Sequence, residues 1–197
     1  MTRLILASGS KARAEMLRGT GLAFEIIPAD IDEQKLLRPM VQQNAAPETI
    51  AASLARAKAQ FIAQQNPGAL VIGADQVLWF GGRIFSKAKD IAQARSNLQA
   101  FRGKTHSLIS AACVAQDDKI LWEGAARANL TMRAFDDAFL DGYMGMAGDA
   151  LLKTVGGYEL ESAGKMLFDT VEGDYFTVLG MPLMPLLGFL RGSGHGG

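Results

Sequence analysis

Residues 70–85 read LVIGADQVLWFGGRIF, and this stretch indicates more about the fold than any other in the chain. The apolar runs Leu70–Gly73 and Gln76–Phe80 each predict a buried strand. The pair Gly81-Gly82 is typical of a tight hairpin turn, and it leads into a third predicted strand at Arg83–Phe85. This part of the chain therefore predicts a hairpin within a larger sheet.

Strand-like and helix-like segments alternate on both sides of this hairpin. Upstream, Leu4–Ala7 predicts a short buried strand, and Lys11–Arg18 predicts a helix with Ser10 as its N-cap. The remaining predicted helices cover residues 47–65, 90–101, 135–146 and 183–190. The remaining predicted strands cover residues 23–27, 105–115, 120–132 and 166–171, and residues 148–163 predict an irregular segment. Because helices separate some strands and hairpins join others, the sequence predicts an α/β fold with a mixed sheet flanked by helices.

Length and composition predict one globular domain. The chain has 197 residues, of which 49% are hydrophobic, and it shows no repeat and no linker-like change in composition. A domain of this size buries enough surface to fold without a disulfide or a structural metal. We expect the domain to cover residues 1–191, and the glycine-rich residues 192–197, with His195, to form a flexible tail.

Charge and cysteine content disfavour several classes of protein. Twenty basic and twenty acidic residues cancel, so the chain has no broad attraction for duplex nucleic acid or an anionic membrane. The apolar segment Val178–Leu190 is interrupted by prolines and glycines and is too short to span a membrane. The single Cys113 excludes an intrachain disulfide, and two histidines, His106 and His195, disfavour a zinc site. We expect a soluble, cytoplasmic protein.

The first candidate site is Ser8-Gly9-Ser10-Lys11-Ala12-Arg13, where a predicted strand turns into a helix. Backbone N–H groups at a helix N-terminus, two hydroxyl groups and a cation suit a polyphosphate ligand. The alternative is a serine N-cap beside a surface arginine. The segment lacks the eight-residue pattern of a P-loop.

The second candidate is the acidic segment Asp30–Glu33. Strand-like alternation would place Asp30 and Asp32 on one side and Glu33 on the other. Such oxygen donors suit Mg²⁺ or Mn²⁺, and the alternative is an acidic surface loop.

The third candidate is Asp75, which interrupts two apolar runs. A carboxylate there is costly to bury unless a cation or a metal is its partner. Lys58 and Lys87 are candidate cations, although each alone is more typical of a solvated surface lysine.

Taken in chain order, short motifs of this sequence resemble the Maf family of nucleoside triphosphate pyrophosphatases. The ordered set spans almost the whole chain, and it is far more specific than any single motif. The motifs are Leu4–Ser10 with Arg13, Phe24–Pro28 leading to Asp32-Glu33, Leu54–Ala59, Ile72–Asp75 with Lys87, Gly103–His106, Gly156–Tyr158, Glu172–Tyr175 and Gly180–Leu183.

The resemblance implies an elongated mixed α/β domain with two lobes around a central cleft. It implies hydrolysis between the α- and β-phosphates of a nucleotide, with Mg²⁺ or Mn²⁺ as the divalent cation, and it suggests a homodimer. By position, it assigns catalytic roles to Arg13, Glu33, Lys58, Asp75 and Lys87, with Asp75 as the proton acceptor and with Glu33 and Asp75 as metal ligands. Ser8 and Ser10 are assigned to substrate binding.

The chain departs from the family pattern at several positions. Lys11-Ala12 stands where the family usually has Pro-Arg, and Ala88 stands where it usually has Pro. Gln76 and Glu161, both predicted to contact substrate, are more similar to the branch that acts on 7-methyl-GTP. A carboxylate can accept hydrogen bonds from N1–H and N2–H₂ of guanine, so we expect a guanine-type base.

Two other functions compete with this interpretation. One is a nucleotide-binding regulator of cell division and septum formation that needs no catalysis. The other is a nucleic-acid-binding module, which the balanced charge disfavours. The complete set of cations and carboxylates favours catalysis, because binding alone does not require a carboxylate among the phosphates.

Overall fold

The computed structural model describes residues 2–194 of the chain. Its helices, in chain order, are α1 (Lys11–Arg18), α2 (Glu33–Gln42), α3 (Pro47–Ala63), α4 (Ile91–Phe101), α5 (Asp137–Ala147), α6 (Ala150–Lys153), α7 (Tyr175–Val178) and α8 (Leu183–Gly192), with a 3-10 helix at Ala163–Leu167. Its strands are β1 (Leu4–Leu6), β2 (Glu25–Ile26), β3 (Leu70–Phe80), β4 (Arg83–Phe85), β5 (Thr105–Gln116), β6 (Lys119–Met132) and β7 (Phe168–Glu172). Of the predicted tail, residues 195–197 with His195 lie outside the described range, and Gly192 is the last residue of α8.

The seven strands of the described range form one mixed sheet in the order β2-β1-β3-β5-β6-β7, with β4 paired to β3 off this path. Strand β1 is parallel to both neighbours, and Leu6 lies opposite Ile26 on one side and Ile72 on the other. Strand β4 is antiparallel to β3, and β7 is antiparallel to β6. Parallel strands require crossover connections, which the helices between β1, β2 and β3 provide. The predicted mixed α/β fold is confirmed.

The chain divides into two compact units, and neither unit is continuous in sequence. The first comprises the residues up to Gln76, Ile109–Ala126 and the residues from Asp174 onward. The second comprises Val77–Leu108 and Arg127–Gly173. The three long strands β3, β5 and β6 therefore each contribute residues to both units.

The core of the first unit joins the beginning and the end of the described chain. Leu4 and Leu6 of β1 belong to the same buried apolar cluster as Leu17 of α1 and Leu186 and Leu190 of α8. Burial of such side chains is the main source of folding free energy. The turn between β1 and α1, which carries the first candidate site, is thus held between two buried elements.

The second unit contains several aromatic rings that pack against one another. The ring centroids of Phe85 and Phe101 are 4.9 Å apart, and those of Tyr158 and Phe168 are 4.8 Å apart with the rings edge to face. Such geometry is the favoured one for aromatic pairs. The buried Tyr143 hydroxyl donates to the carbonyl oxygen of Gly157 at 2.9 Å, which fixes the segment after α6.

The structure corrects two local predictions that carry candidate residues. Residues 70–80 form one continuous strand, so Asp75 is a strand residue within β3. The extended alternation predicted for Asp30–Glu33 is wrong, because Asp32 caps α2 by accepting the backbone N–H of Lys35 at 3.0 Å and Glu33 begins that helix. The sequence pattern does not predict α2 because none of its residues is buried and Pro39 lies inside it.

Within residues 2–194, no helix combines the length and the apolar character that crossing a membrane requires.

Candidate active site

Asp75 and Lys58 form a buried ion pair in the first unit. Asp75 on β3 is 6% exposed and Lys58 on α3 is 8% exposed. The Nζ atom of Lys58 donates a hydrogen bond to Oδ1 of Asp75. The expectation that a buried Asp75 needs a cationic partner is confirmed. The alternative that Lys58 is a solvated surface lysine is wrong.

Small residues explain how Lys58 reaches Asp75. A Cβ atom on Gly73 would lie 2.2 Å from the carbonyl oxygen of Ala55 and 2.9 Å from the Cβ of Ala59. Only a glycine on β3, opposite alanines on α3, permits this close approach of strand and helix. Lys58 precedes Ala59 on the helix, and Asp75 follows Gly73 by two residues on the strand. The close packing therefore brings the two charged groups together.

Glu33 shares the same ammonium group. Its Oε1 atom lies 2.9 Å from Nζ of Lys58, and its side chain is 48% exposed. Helix α2, which Glu33 begins, packs against α3. A lysine ammonium has three N–H donors, and two carboxylates take two of them. Among the described residues, no acceptor is assigned to the third.

Arg13 is held by oxygen acceptors from three parts of the first unit. Its Nε donates to the carbonyl oxygen of Gly180 at 2.8 Å, and its Nη1 donates to the carbonyl oxygen of Ala74 at 2.9 Å and to Oγ of Ser8 at 3.1 Å. Gly180 has a φ of +109°, and a Cβ there would lie 3.2 Å from Nε of Arg13. The guanidinium group thus ties the β1–α1 turn to β3, next to Asp75, and to the segment before α8.

Ser8 and Ser10 both organise the turn between β1 and α1. Oγ of Ser8 accepts from Arg13 and, at 3.3 Å, from the backbone N–H of Ser10. Oγ of Ser10 accepts the backbone N–H of Arg13 at 3.4 Å, so Ser10 is the N-cap of α1, as predicted. Neither serine's predicted contact with substrate is tested by these bonds.

Arg13, Glu33, Lys58 and Asp75 form a cluster of charged groups, the Asp75 cluster, and burial shifts the pKa values of two of its members. Burial raises the pKa of Asp75 above that of an ordinary carboxyl, and the nearby charges of Lys58 and Arg13 offset part of this effect. Burial lowers the pKa of Arg13, and the charges of Asp75 and Glu33 oppose the change. Two cations and two carboxylates cancel, so the cluster carries no net charge when all four groups are ionised.

Gln76 is bound to the protein through its amide nitrogen. Nε2 lies 2.9 Å from the carbonyl oxygen of Val178, 3.1 Å from that of Thr177 and 3.1 Å from Oγ of Ser110. The hydroxyl group of Ser110 in turn donates to Thr177 at 2.7 Å. With the amide nitrogen occupied, the atom that Gln76 has left for a ligand is its acceptor oxygen Oε1.

The predicted site residues Lys87 and Glu161 belong to the second unit. Lys87 lies between β4 and α4, and Glu161 lies shortly before the 3-10 helix. Both side chains are exposed. Their predicted contacts with substrate are not tested by the structure and stay predictions.

A family model described as Maf-like protein matches residues 3–193. The chain belongs to the Maf-like protein family. The resemblance carried by the ordered motifs is therefore confirmed.

Curated relatives of this Maf-like chain carry two different names. The 7-methyl-GTP pyrophosphatase of Brucella suis biovar 1 (strain 1330) is 46% identical over 189 residues, which cover 96% of this chain and 95% of that protein. The nucleoside triphosphate pyrophosphatase of Paramagnetospirillum magneticum is also 46% identical, over 97% of this chain and 98% of that protein. A protein with the same second name, from Caulobacter vibrioides, is 46% identical over 97% and 96%. Overall identity therefore does not distinguish the two names.

The donor set of this Maf-like chain fits a divalent cation that arrives with a phosphate ligand. Glu33 and Asp75 converge on one point, the Lys58 ammonium group. Residues 2–194 contain no group of three or more histidine, cysteine, aspartate or glutamate side chains that could hold a metal ion by themselves. Two carboxylates completed by phosphate oxygens are a usual ligand set for Mg²⁺.

The sequence did not indicate which groups hydrogen-bond to Arg13 and Gln76 and hold them in place. Ser110, Gly180 and the carbonyl oxygens of Ala74 and Thr177 hold Arg13 and Gln76. Every residue has a backbone carbonyl, so the sequence cannot show which carbonyl oxygens accept these hydrogen bonds. Ser110 offered one signal, since it is a polar residue within an apolar run, and it is fully buried.

Proposed function

We propose that this chain is a nucleoside triphosphate pyrophosphatase, a hydrolase that cleaves the anhydride bond between the α- and β-phosphates of a nucleotide. The observation that carries the proposal is the buried Asp75, held by Lys58 in a chain whose relatives at 46% identity are named as pyrophosphatases. The products are a nucleoside monophosphate and pyrophosphate.

Asp75 is the group suited to accept a proton from the attacking water. Its pKa is raised by burial, which makes the carboxylate a stronger base than an exposed aspartate. As the oxygen of water bonds to phosphorus, one proton passes to Asp75 and the anhydride P–O bond breaks. Lys58 holds this carboxylate in place through the hydrogen bond between Nζ and Oδ1.

Lys58 and Arg13 also have donors left for phosphate oxygens. One N–H of the Lys58 ammonium group remains after the bonds to Glu33 and Asp75. Arg13 has five N–H groups, and its bonds to Ser8, Ala74 and Gly180 use three, which leaves the two of Nη2. Charge-assisted bonds from such groups stabilise the negative charge that develops on phosphate in the transition state.

Glu33 and Asp75 would hold a divalent cation, Mg²⁺ or Mn²⁺. When bound, the cation supplies positive charge that neutralises phosphate oxygens. The exposed position of Glu33 at the start of α2 leaves its carboxylate accessible to such an ion.

For the base, we propose a guanine-type or modified purine such as 7-methylguanine. The acceptor oxygen left on Gln76 and the carboxylate of Glu161 can each accept a hydrogen bond and offer no donor. Guanine presents the donors N1–H and N2–H₂, whereas thymine and uracil present two carbonyl acceptors beside a single N–H. The predicted homodimer and cytoplasmic location stay predictions.

The experiment is pyrophosphate release from a nucleotide panel with Mg²⁺ or Mn²⁺, for the wild type and for Asp75→Asn. We expect 7-methyl-GTP to turn over faster than dTTP. Asp75→Asn keeps a hydrogen-bond acceptor for Lys58 and should lower kcat by about 10²- to 10⁴-fold, the usual contribution of a general base. Asp118→Asn, in the exposed turn between β5 and β6, is the matched control.

Full activity of Asp75→Asn would show that the proton acceptor is misassigned. Absence of turnover by the wild type would favour the non-catalytic regulator.

A further inference from the structure

Two motifs of the sequence that have no part in the proposed reaction meet in the second unit as a buried polar pair. Tyr158 ends the motif Gly156–Tyr158, and its hydroxyl oxygen lies 2.6 Å from Nε2 of His106, which ends the motif Gly103–His106. The exposed fractions of the two residues are 6% and 2%. The other ring nitrogen of His106, Nδ1, has no hydrogen-bond partner within residues 2–194. A buried polar atom without a partner costs folding free energy, which indicates a role other than stability.

His106 is a fixed anchor for the hydroxyl group of Tyr158. It lies on β5, and its ring centroid is 5.1 Å from that of Phe101 and 5.9 Å from that of Phe168. Burial lowers the pKa of His106 to about 4 and raises the pKa of Tyr158. Both groups are therefore uncharged near neutral pH, and the bond between them does not change there.

The backbone next to Tyr158 is fixed as well. Its N–H donates to Oγ1 of Thr154 at 3.0 Å, and the hydroxyl group of Tyr143 donates to the carbonyl oxygen of Gly157 at 2.9 Å. Gly157 has a φ of +73°, and a Cβ atom on Gly156 would overlap the ring of Tyr158. The ring thus folds back over a backbone that only glycine permits.

The segment that follows Tyr158 is a tight turn that carries Glu161. The carbonyl oxygen of Glu159 accepts the backbone N–H of Ser162 at 3.2 Å and that of Gly164 at 3.1 Å. A Cβ atom on Gly164 would overlap the same carbonyl oxygen. The side chain of Glu161 is exposed. An exposed carboxylate therefore stands on a turn whose two ends are held, and a group held in this way loses little freedom when a ligand binds.

We propose that the His106–Tyr158 pair positions Glu161 for recognition of the nucleotide base. The inference rests on the proposed function, in which the carboxylate of Glu161 accepts hydrogen bonds from a guanine-type base. Tyr158 precedes Glu161 by three residues, so its buried hydroxyl group fixes the backbone from which the carboxylate is presented. His106 and Tyr158 are positioning residues, because they are buried and act through the turn.

The test is a double-mutant cycle between Tyr158→Phe and Glu161→Ala. The quantity measured is base selectivity, the ratio of kcat/KM for 7-methyl-GTP to kcat/KM for dTTP. Tyr158→Phe keeps the ring and removes the hydroxyl group, and it should lower the ratio about fivefold, mainly through a higher KM for 7-methyl-GTP. In the Glu161→Ala background the same substitution should leave the ratio unchanged, because the carboxylate that it positions is absent. Tyr175→Phe, which removes the hydroxyl group of an exposed tyrosine, is the matched control.

Variants of His106 separate positioning from stability. His106→Leu removes the bond and should lower the ratio by the same factor. His106→Gln keeps an amide that can bond to the hydroxyl group of Tyr158, and it should restore most of the selectivity. Urea unfolding measures the stability of each variant. A loss of stability alone lowers the activity on both nucleotides together and leaves their ratio unchanged.

An unchanged ratio in Tyr158→Phe would overturn the proposal, as would an equal fall of the ratio with and without the Glu161 carboxylate. If the wild type releases pyrophosphate but the cycle is additive, the positioning role is wrong and the proposed function stands. If no nucleotide is hydrolysed, the same cycle is measured by calorimetry on the Kd values of 7-methyl-GTP and dTTP. Coupling in those values would support the positioning role while the proposed function is wrong, and its absence would overturn both.

Discussion

The single ammonium group of Lys58 pairs with the carboxylates of both Glu33 and Asp75. Removal of Lys58 should therefore change the pKa of Asp75. In Lys58→Met, Asp75 stays buried but loses its cation, so its pKa should rise further. A base with a higher pKa stays protonated to a higher pH. We therefore expect the acidic limb of the kcat/KM profile to move to higher pH by about one unit or more. The measurement is kcat/KM against pH, with the exposed Lys119→Met as control. An unmoved acidic limb would contradict this coupling.

His106 is a buried residue whose titration should be visible in stability. Its Nε2 lies 2.6 Å from the Tyr158 hydroxyl oxygen, and its Nδ1 has no hydrogen-bond partner within residues 2–194. Burial lowers the pKa of His106 from 6.5 to about 4. Between these values the unfolded chain binds the proton more tightly, so the free energy of unfolding should fall as pH falls.

The free energy of unfolding should fall by about 2 kcal/mol between pH 7 and pH 5 because of this one histidine. His106→Gln has no proton to bind in this range, so its free energy of unfolding should depend less on pH by that amount. Urea unfolding at both pH values measures the difference. Equal pH dependence in the two proteins would mean that His106 has the same pKa in the folded and the unfolded chain.

The sequence identifies Asp75 as a candidate site residue, but it does not reveal that Lys58 is buried. A single carboxylate between two apolar runs is visible in the sequence, because its burial is costly without a partner. The burial of Lys58 depends on the close approach of α3 to β3 at Gly73, which is a tertiary contact. Helical spacing alone could not distinguish this lysine from a solvated one.

Among the elements, the contact of β3 with α3 depends on Gly73. In Gly73→Ala the new Cβ would lie 2.2 Å from Ala55 O and 2.6 Å from Ala59 N, so strand and helix must separate. We expect a loss of about 3 kcal/mol in stability from this overpacking, together with lower activity because Lys58 moves with the helix. Urea unfolding and pyrophosphate release measure the two effects.

Gly142→Ala is the control for this substitution. Gly142 lies inside α5, and a Cβ atom added to it would meet no neighbour within 4 Å, so alanine should stabilise the protein by about 0.5–1 kcal/mol. Equal stability of the two variants would contradict the close-packing argument.

Elements with strong local signals are predicted well from the sequence. Helix α1 has the predicted bounds and the predicted Ser10 cap, and the Gly81-Gly82 turn joins β3 to β4 with both glycines at positive φ. Helix α2 is not predicted because it presents no buried face and contains Pro39. Its place is fixed by packing on α3 and by the Asp32 cap, and Glu33 reaches Lys58 only through that helix.

For the molecule as a whole, balanced charge predicts how a metal would bind. The chain has twenty basic and twenty acidic residues, and the Asp75 cluster is itself neutral. We therefore expect weak binding of Mn²⁺ alone, and binding at least about tenfold tighter with an α,β-methylene nucleotide that supplies phosphate ligands. The electron paramagnetic resonance signal of free Mn²⁺ measures both affinities.

Glu33→Gln should weaken the nucleotide-dependent binding of Mn²⁺, because it removes one of the two carboxylates that would hold the ion. Tight binding without nucleotide, or binding that this variant does not change, would contradict the expected ligand set.

The position of α8 late in the chain affects when the first unit can fold during synthesis. Leu183, Leu186 and Leu190 complete the same apolar cluster that contains Leu4 and Leu6 of the first strand. A ribosome makes β1 long before α8, so the apolar cluster around Leu4 and Leu6 stays incomplete until α8 has been made. We expect this unit to reach its final packing only after α8 has been made, and a chain interrupted before Leu183 to be a substrate for chaperones and proteases.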